Sequence, residues 1–410
     1  MAKKKPFNLG LTILSCILAV VVGLAAGLVG PLYVMESRFT ANITTDELVI
    51  TEGHEGHVEH ADIDVENSDL TVHFIELGNK YTGDCTLIKC GNTELLIDCG
   101  SKSSCIPTVK SYLDEYVTDG ILEYIIVTHG HQDHYAGFAT GANESSIFDL
   151  YNCGIGTTII TFSRTKQNTT KGLYANFTRE IGEAESRGAT IVTADNCYNI
   201  DTHTSTTFNL SEQTSFEILY NPYYYEGINI DTENNCSVCC MVTSGEHNFL
   251  FTGDLEAGGE AAMASQYRID KGLGDNGYIS VDLYKAGHHG SKTSSSAAFL
   301  EVFRPQICCV CCCAGSPEYT KTAENQFPTQ DFINRISVYT AEVYVTTMCV
   351  DYDKGLFTSF NGNIVVGLVG GSVVVKCSNN DAVLKDSDWF KDCVQQGKRT
   401  CPSAWAAASP

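Results

Sequence analysis

The feature that most constrains the fold is a cluster of metal-binding side chains directly behind a short apolar stretch. The residues are Thr128-His129-Gly130-His131-Gln132-Asp133-His134, and they follow the run Leu122–Val127. Such a run predicts a buried strand that ends in a loop. Four potential ligands within six positions cannot share one face of a strand or a helix, so they must spread from a tight turn. Because Zn²⁺, Mn²⁺ and Fe²⁺ accept imidazole and carboxylate ligands, the cluster predicts a metal site rather than a solvated histidine-rich loop.

The spacing of these ligands predicts how they divide between two ions. We expect His129 and His131 to bind one ion, and Asp133 and His134 to bind a second about 3.5–4 Å away, as in two-metal hydrolases. The expected cofactor is one or two divalent ions, with Zn²⁺ favoured and Mn²⁺ as the alternative. The sequence leaves open whether one or two ions are bound.

Four further stretches, together with this cluster, resemble a known family. They are Gly83-Asp84 with Leu87-Ile88, Leu95-Leu96-Ile97-Asp98-Cys99-Gly100, Phe251-Thr252-Gly253-Asp254, and the segment from Lys285 to Ser294. Their order over residues 70–376 is similar to the metallo-β-lactamase fold, and within it to the hydrolase domain of ComEC-like DNA-uptake channel proteins. Free-standing relatives of that group include secreted phosphorylcholine esterases. The resemblance implies an α/β fold, the αββα sandwich of two sheets with helices on their outer faces.

The resemblance also implies a role for individual residues. Asp98 is expected to orient the metal loop by hydrogen bonding behind the ligands. Asp254 is expected to be the carboxylate shared by both ions, and His288 the last ligand of the second ion. The adjacent His289 would face differently and act on the substrate or the leaving group, although the two histidines could exchange roles.

A candidate phosphate-binding segment follows these histidines. Ser291, Lys292 and Ser294 come after a glycine at an expected helix start, where backbone N–H groups favour an anion. The alternative is that these residues cap the helix expected to begin near Ser295.

Two departures from the family pattern bear on function. Most relatives carry a third histidine for the first ion where this chain has residues 231–237, Asp-Thr-Glu-Asn-Asn-Cys-Ser. The first ion would then be held by His129, His131 and Asp254 alone, or weakly. A histidine–proline pair that is frequent in ComEC-like domains is replaced by Phe327-Pro328, so whatever that histidine contributes to nuclease action is missing.

The N-terminus predicts a membrane anchor. Residues 1–8 contain Lys3, Lys4 and Lys5, and the uncharged run that follows provides a transmembrane span over residues 9–35. At 1.5 Å per residue this run exceeds the roughly 30 Å hydrocarbon core, and it is longer than the apolar region of about 7–15 residues in a secretory signal. Lysines before the span place the rest of the chain outside the cytoplasm. We therefore expect a single-pass protein of the cell membrane with a polar stalk over 36–69, an extracytoplasmic hydrolase domain over 70–376 and a loose tail over 377–410.

Charge and cysteine usage narrow the function classes. A net charge of −23 repels a polyphosphate at long range, and the sequence shows no basic stripe with interleaved aromatic residues. Of the 19 cysteines, five fall within Ile307–Ala314. Neighbouring cysteines on a strand point to opposite faces, so we expect small buried apolar side chains there rather than disulfides. Cys377, Cys393 and Cys401 are better disulfide candidates, and a cysteine-rich metal site is the alternative.

These observations predict a membrane-anchored, metal-dependent phosphodiesterase that uses metal-bound hydroxide. A bound ion lowers the pKa of water to about 7. Asp133 and Asp254 would position the hydroxide, and His289 would assist the leaving group. A small or cell-wall-linked phosphodiester is the favoured substrate. The alternatives are a nuclease of the competence type, which would act on nucleic acid, and a non-catalytic metal-binding surface module.

Overall fold

The computed structural model describes residues 63–141, 143–198 and 205–407. Within these ranges, no helix combines the length and the apolar character needed to cross a bilayer. The predicted anchor over 9–35 lies outside the described residues, as does the predicted stalk up to residue 62, so both stay predictions.

Strands near the two ends of the described chain meet in the first of two eight-stranded sheets. Its members are β1 (Leu70–Phe74), β2 (Thr86–Cys90), β3 (Thr93–Ile97), β4 (Tyr124–Val127), β5 (Thr158–Thr161), β6 (Thr190–Thr193), β15 (Ile364–Val369) and β16 (Ser372–Cys377). The spatial order is β16-β15-β1-β2-β3-β4-β5-β6. Strands β3 to β6 are parallel, whereas the remaining pairs are antiparallel.

The second sheet takes the middle of the chain. Its members are β7 (Thr207–Asn209), β8 (Thr214–Ile218), β9 (Cys240–Ser244), β10 (His247–Phe251), β11 (Ile279–Lys285), β12 (Phe303–Ala314), β13 (Glu342–Asp351) and β14 (Leu356–Ser359). The spatial order is β14-β13-β12-β11-β10-β9-β8-β7, with β10 to β13 parallel.

Nine α-helices accompany the sheets in the described residues. They are α1 (Ile106–Tyr116), α2 (Gln132–Tyr135), α3 (Ile147–Leu150), α4 (Gly172–Ser186), α5 (Ala257–Asp270), α6 (Ala297–Leu300), α7 (Gln330–Ile336), α8 (Asp388–Gln395) and α9 (Ser403–Ala407). One apolar core contains residues of both sheets together with α1 and α4, and a second core joins the second sheet to α5, α6 and α7. Two mixed sheets with helices packed against them fit the predicted αββα sandwich.

Strand β12 shows why a cysteine-rich sequence can form a core strand. Cys309 and Cys311 belong to the core that contains both sheets, whereas Cys308 and Cys312 belong to the other core. The alternation follows the two-residue period of a strand buried on both faces. All five cysteines of β12 are buried free thiols, as predicted. Cys377, Cys393 and Cys401, the candidates for a disulfide, are each free thiols.

The prediction of a loose tail over 377–410 is wrong for its described part. The side chains of Phe390 in α8 and Trp405 in α9 are buried in the core of the second sheet. The indole Nε1 of Trp405 donates a hydrogen bond to the carbonyl oxygen of Thr340 at 3.0 Å. Two aromatic anchors therefore hold a segment whose polar and alanine-rich composition suggested none.

Candidate metal centre

The predicted ligands come together where strands of both sheets end. The loop after β4 carries His129 and His131, and α2 carries His134. The loop after β10 carries Asp254, and the turn after β11 carries His288 and His289. Parallel strands deliver their carboxyl ends to one edge of a sheet. This places residues that are more than 150 positions apart in sequence within contact distance.

The carboxylate of Asp254 lies at the centre of the cluster. Its Oδ2 lies 3.2–3.8 Å from the Nε2 atoms of four histidines, which are His129, His134, His288 and His289. Asp254 is 1% exposed, and its Oδ1 accepts no hydrogen bond from a described residue. Because a buried carboxylate needs a cation or donors around it, this position suits the predicted shared ligand.

Two groups of potential ligands share Asp254. His129, His131 and Asp254 form the first, and Asp84, His134, Asp254 and His289 form the second, each with its ligand atoms within 4.8 Å of one another. The first group is the set predicted for the first ion. The second group contains His134 and Asp254 as predicted, but it includes Asp84 and His289 in place of Asp133 and His288.

The positions of the paired histidines are the reverse of the prediction. The His289 side chain is 1% exposed, and its Nδ1 lies 3.0 Å from the carbonyl oxygen of Cys311. The His288 side chain is 20% exposed; its Nε2 lies 3.7 Å from Oδ2 of Asp254, and its Nδ1 contacts Thr293 and Asn234. Both histidines have positive φ, 48° for His288 and 55° for His289. Because they form a left-handed turn and not the end of a strand, the alternation expected for a strand does not apply.

The predicted ligand Asp133 adjoins the second group through His289. Its Oδ2 accepts a hydrogen bond from the hydroxyl of Tyr319 at 2.9 Å and lies 3.5 Å from Nε2 of His289. Burial opposes ionisation of Asp133, but His289 and His134 hold the pKa of this carboxyl below its usual range. Asp133 is therefore placed to accept a proton or a hydrogen bond next to the ligands.

Asp84 has a place in the cluster that the sequence did not assign. It forms a buried ion pair with Lys285, and its Oδ1 lies 3.1 Å from Nδ1 of His289. Despite the cost of burial, Lys285 and His289 lower the pKa of Asp84. The available signal was the Gly83-Asp84 motif, but the partners of Asp84 lie about 200 residues later in the chain.

Asp98 lies behind the ligands, where the resemblance placed it. One carboxylate oxygen accepts the backbone N–H of Thr128 at 2.7 Å. The other accepts the Thr128 hydroxyl and lies 2.7 Å from Nδ1 of His134. These contacts turn Nε2 of His134 toward Asp254. Although burial disfavours the charged imidazole, Asp254 and Asp98 raise the pKa of His134 well above its usual value.

A glycine allows the loop after β3 to approach the metal loop. A Cβ at Gly100 would lie 1.6 Å from the carbonyl oxygen of Asp133, far inside van der Waals contact. Any larger residue at Gly100 would displace the loop that carries Asp133 and His134.

The segment where relatives carry a third histidine supplies hydrogen bonds instead of a ligand. The hydroxyl oxygen of Ser237 accepts the backbone N–H of Asp254 at 3.0 Å and lies 3.4 Å from Nδ1 of His129. Asn234 lies beside His288, with 3.4 Å between its Nδ2 and Nδ1 of the histidine. In the described residues, the first group thus has three members, as the sequence predicted.

The predicted phosphate-binding segment is arranged differently from the expectation. Ser294 is fully buried, and its hydroxyl donates to the carbonyl oxygen of Leu255 at 2.7 Å. The backbone N–H groups of Ser295 and Ser296 donate to the carboxylate of Glu260 at 2.5 and 2.8 Å. Because a buried carboxylate already accepts from this helix start, a substrate phosphate cannot use the same N–H groups.

The other two members of that segment lie closer to the surface. Ser291 Oγ lies 3.0 Å from the Thr293 hydroxyl, and the exposed Lys292 reaches Oδ1 of Asn325 at 3.4 Å. Lys292 is thus the one residue of the predicted trio whose charged group is free to move toward an anion in solvent.

The donor set fits divalent cations. Two buried carboxylates, those of Asp84 and Asp254, and the imidazoles of His129, His131, His134 and His289 provide the nitrogen and oxygen ligands that Zn²⁺ and Mn²⁺ accept. Burial lowers the pKa of His129 well below its usual value, so this imidazole is neutral, as a ligand must be. Burial also opposes charging of His289, but Asp254 and Asp84 raise its pKa to about 10.

Comparison with known proteins agrees with this geometry. Residues 78–147 match the profile of the metallo-beta-lactamase superfamily. The chain is 32% identical over 128 residues to "Competence protein ComA" of Neisseria gonorrhoeae, which covers 31% of this chain and 16% of that protein. It is 31% identical over 75 residues to "ComE operon protein 3" of Bacillus subtilis, which covers 18% of this chain and 8% of that protein.

Among solved structures, the chain matches the metallo-beta-lactamase fold protein YhfI of Bacillus subtilis. Its sequence is 12% identical, the alignment covers 70% of this chain and 98% of that chain, and the TM-score is 0.36. The chain spans less than a fifth of the length of the two curated relatives.

Proposed function

Since the chain carries a metallo-β-lactamase superfamily domain with sequence affinity to the ComEC-like group, we propose that it is a metal-dependent phosphodiesterase. The observation that carries the proposal is the convergence of four imidazole nitrogens on one oxygen of the buried Asp254. Such a set of ligands is costly to bury without a cation, because each buried polar group must find a partner. A divalent ion held there would supply Lewis acidity and lower the pKa of a bound water.

The residues around the ion would orient the ligands, accept a proton and contact the leaving group. Asp98 and the carbonyl oxygen of Cys311 fix the orientations of His134 and His289, so both rings present Nε2 to Asp254. Asp133 lies next to these ligands with a carboxylate oxygen available to hold a proton of the attacking water. His288 is partly exposed and is oriented by the Thr293 hydroxyl, 3.1 Å from its Nδ1. We assign to His288 the contact with the leaving group that the sequence had given to His289.

A small or cell-wall-linked phosphodiester is the substrate that best suits the charge of the chain. A net charge of −23 disfavours the approach of a long polyanion. Where ComEC-like domains often carry a histidine, the ring of Phe327 packs 5.7 Å from the ring of His289. A nuclease is the second candidate, and the name of one curated relative, "Competence protein ComA", favours it.

Turnover of three substrates by the purified protein, loaded with Zn²⁺ or Mn²⁺, separates these functions. The substrates are bis-p-nitrophenyl phosphate, p-nitrophenyl phosphorylcholine and single-stranded DNA. Hydrolysis of either nitrophenyl ester with slow cleavage of DNA supports the proposal. Faster cleavage of DNA supports the nuclease. Metal binding without hydrolysis of any of the three supports the non-catalytic surface module.

The membrane anchor and the extracytoplasmic location are part of the same proposal. They rest on the lysines before the apolar run over residues 9–35. Protease added to intact cells is expected to digest the hydrolase domain. Protection of the domain while a surface control is cut would contradict this orientation.

A further inference from the structure

The loop that follows β12, residues 315–327, forms a wall beside the metal centre. The backbone N–H of Gly315 donates to the carbonyl oxygen of Phe327 at 2.9 Å and closes the loop at its base. The buried guanidinium of Arg399 donates to the carbonyl oxygens of Glu324 and Gln326 at 2.8 and 2.7 Å. The loop is therefore held from both sides, and the side chains that it carries have defined positions.

Tyr319 reaches from this loop to the metal centre. Its hydroxyl donates to Asp133 at 2.9 Å, and its ring centroid lies 5.5 Å from that of Phe327. The ring of Phe327 in turn lies 5.8 Å from the ring of His288 and 5.7 Å from that of His289. Aromatic rings thus pack in series from Tyr319 through Phe327 to the two histidines.

The orientation of Tyr319 is the reverse of what packing alone would produce. A surface tyrosine ordinarily buries its apolar ring and leaves its hydroxyl in water. Tyr319 directs its hydroxyl to a carboxylate that is 19% exposed, while the residue as a whole is 59% exposed. Because the hydroxyl is paired with Asp133, we attribute the exposed area of Tyr319 to its ring.

We propose that Tyr319 is a specificity-determining residue whose exposed ring stacks on a planar ring in the ester substituent that stays on the phosphate. The inference rests on the proposed phosphodiesterase function and names its substrate class, a phosphodiester in which the substituent that is not released is an aryl group or a nucleobase-bearing unit. Stacking of a planar ring on an aromatic side chain changes binding by roughly 5- to 150-fold. The hydrogen bond to Asp133 fixes the ring relative to the ligands, so the stacked group and the scissile phosphate are positioned together.

Two esters with the same leaving group test this inference. Bis-p-nitrophenyl phosphate and methyl p-nitrophenyl phosphate both release p-nitrophenolate, and they differ in whether the second substituent is planar. Tyr319→Leu is expected to lower the ratio of kcat/KM for the aryl ester to that for the methyl ester by at least about fivefold. Tyr319→Phe keeps the ring and is expected to keep this ratio within about twofold, so rescue by phenylalanine separates stacking from loss of the hydroxyl.

A matched control comes from a second exposed tyrosine. Tyr278 is 51% exposed and packs on Arg304, and it lies just before the start of β11, at the opposite end of that strand from His288. Tyr278→Leu is expected to leave the ratio unchanged. An equal fall for both esters in Tyr319→Leu would overturn the inference, because Tyr319 would then act only through Asp133.

A binding measurement keeps the inference separate from the proposed function. Calorimetry on the metal-loaded full chain compares phenylphosphonate with methylphosphonate. Tyr319→Leu is expected to weaken binding of the phenyl compound at least about fivefold and to leave the methyl compound and the metal content unchanged. If the wild-type protein hydrolyses neither ester, the phosphodiesterase proposal fails, and this comparison still decides the stacking inference. An unchanged preference for the phenyl compound in Tyr319→Leu would overturn it.

Discussion

The adjacent residues His288 and His289 have different surroundings. His289 is enclosed by Asp84, Asp254 and the carbonyl oxygen of Cys311, whereas His288 reaches solvent beside Thr293. We therefore expect His289→Ala to lose metal and turnover together. We expect His288→Ala to keep its metal and lose turnover by about 10²–10⁴-fold, as for a group that acts on the leaving group.

Metal analysis and turnover on the two variants check this assignment. Loss of metal in His288→Ala with retention in His289→Ala would show that the first histidine is the ligand after all. The rest of the cluster would be unaffected by that outcome.

Whether the role of each residue could be predicted from the sequence depended on its local backbone geometry. His129, His131 and Asp254 follow strands directly, and the structure groups them as the sequence proposed. The paired histidines occupy a left-handed turn. Such a turn has no repeating pattern from which the direction of each side chain could be predicted. Asp84 was not assigned because its neighbours Lys285 and His289 are brought to it only by the packing of one sheet on the other.

At the scale of secondary-structure elements, Glu260 connects helix α5 to the start of helix α6. Its fully buried carboxylate accepts the N–H groups of Ser295 and Ser296 at the start of α6. Desolvation by burial outweighs these hydrogen bonds and raises the pKa of Glu260 to about 7 from 4.5. The segment between His289 and α6 is therefore held by a group that titrates near neutral pH.

The titration of Glu260 predicts how stability depends on pH. Between about pH 4.5 and pH 7 the folded protein keeps the proton on Glu260 and the unfolded chain releases it. Since the native state binds more protons, the contribution of Glu260 to the free energy of unfolding falls as pH rises through this range. Glu260→Gln is expected to remove that slope, as measured by urea unfolding of the metal-free protein at pH 5, 6 and 7. The same change at the exposed Glu301, just after α6, serves as the control, and an identical slope in both variants would contradict the assignment.

The C-terminal helices give a second prediction at this scale. The indole of Trp405 is 2% exposed and packs on Phe390, with ring centroids 5.7 Å apart. We expect Trp405→Ala to lower the free energy of unfolding by about 3–5 kcal/mol, because it leaves a cavity and an unpaired carbonyl oxygen at Thr340. Urea unfolding measures the change. A loss below about 1 kcal/mol would mean that the segment is as loose as its composition suggested.

The wrong prediction for the C-terminal segment has a physical cause. Composition over 377–410 is dominated by polar and small residues, so the few buried aromatic side chains that decide its packing carried little weight. Strand β12 was predicted well because its alternation of two cores depends only on the two-residue period of a strand. Features that depend on local backbone geometry could thus be predicted from the sequence. Features that depend on a single contact between distant residues could not.

For the whole molecule, the order of the motifs along the chain predicted the fold. Each motif lies at the end of a strand, and the two sheets bring the strand ends to one edge of the sandwich. Binding of divalent metal at this edge depends on Asp254, which belongs to both groups of ligands.

Elemental analysis of the protein purified without chelator tests that claim most directly. We expect one to two equivalents of Zn²⁺ or Mn²⁺ per chain. Asp254→Ala should lower the occupancy of both sites, because it removes the shared carboxylate. Asp282→Ala, which breaks the Asp282–His247 pair at the start of β10, should leave the metal content unchanged. Absence of transition metal from the wild-type protein would contradict the account.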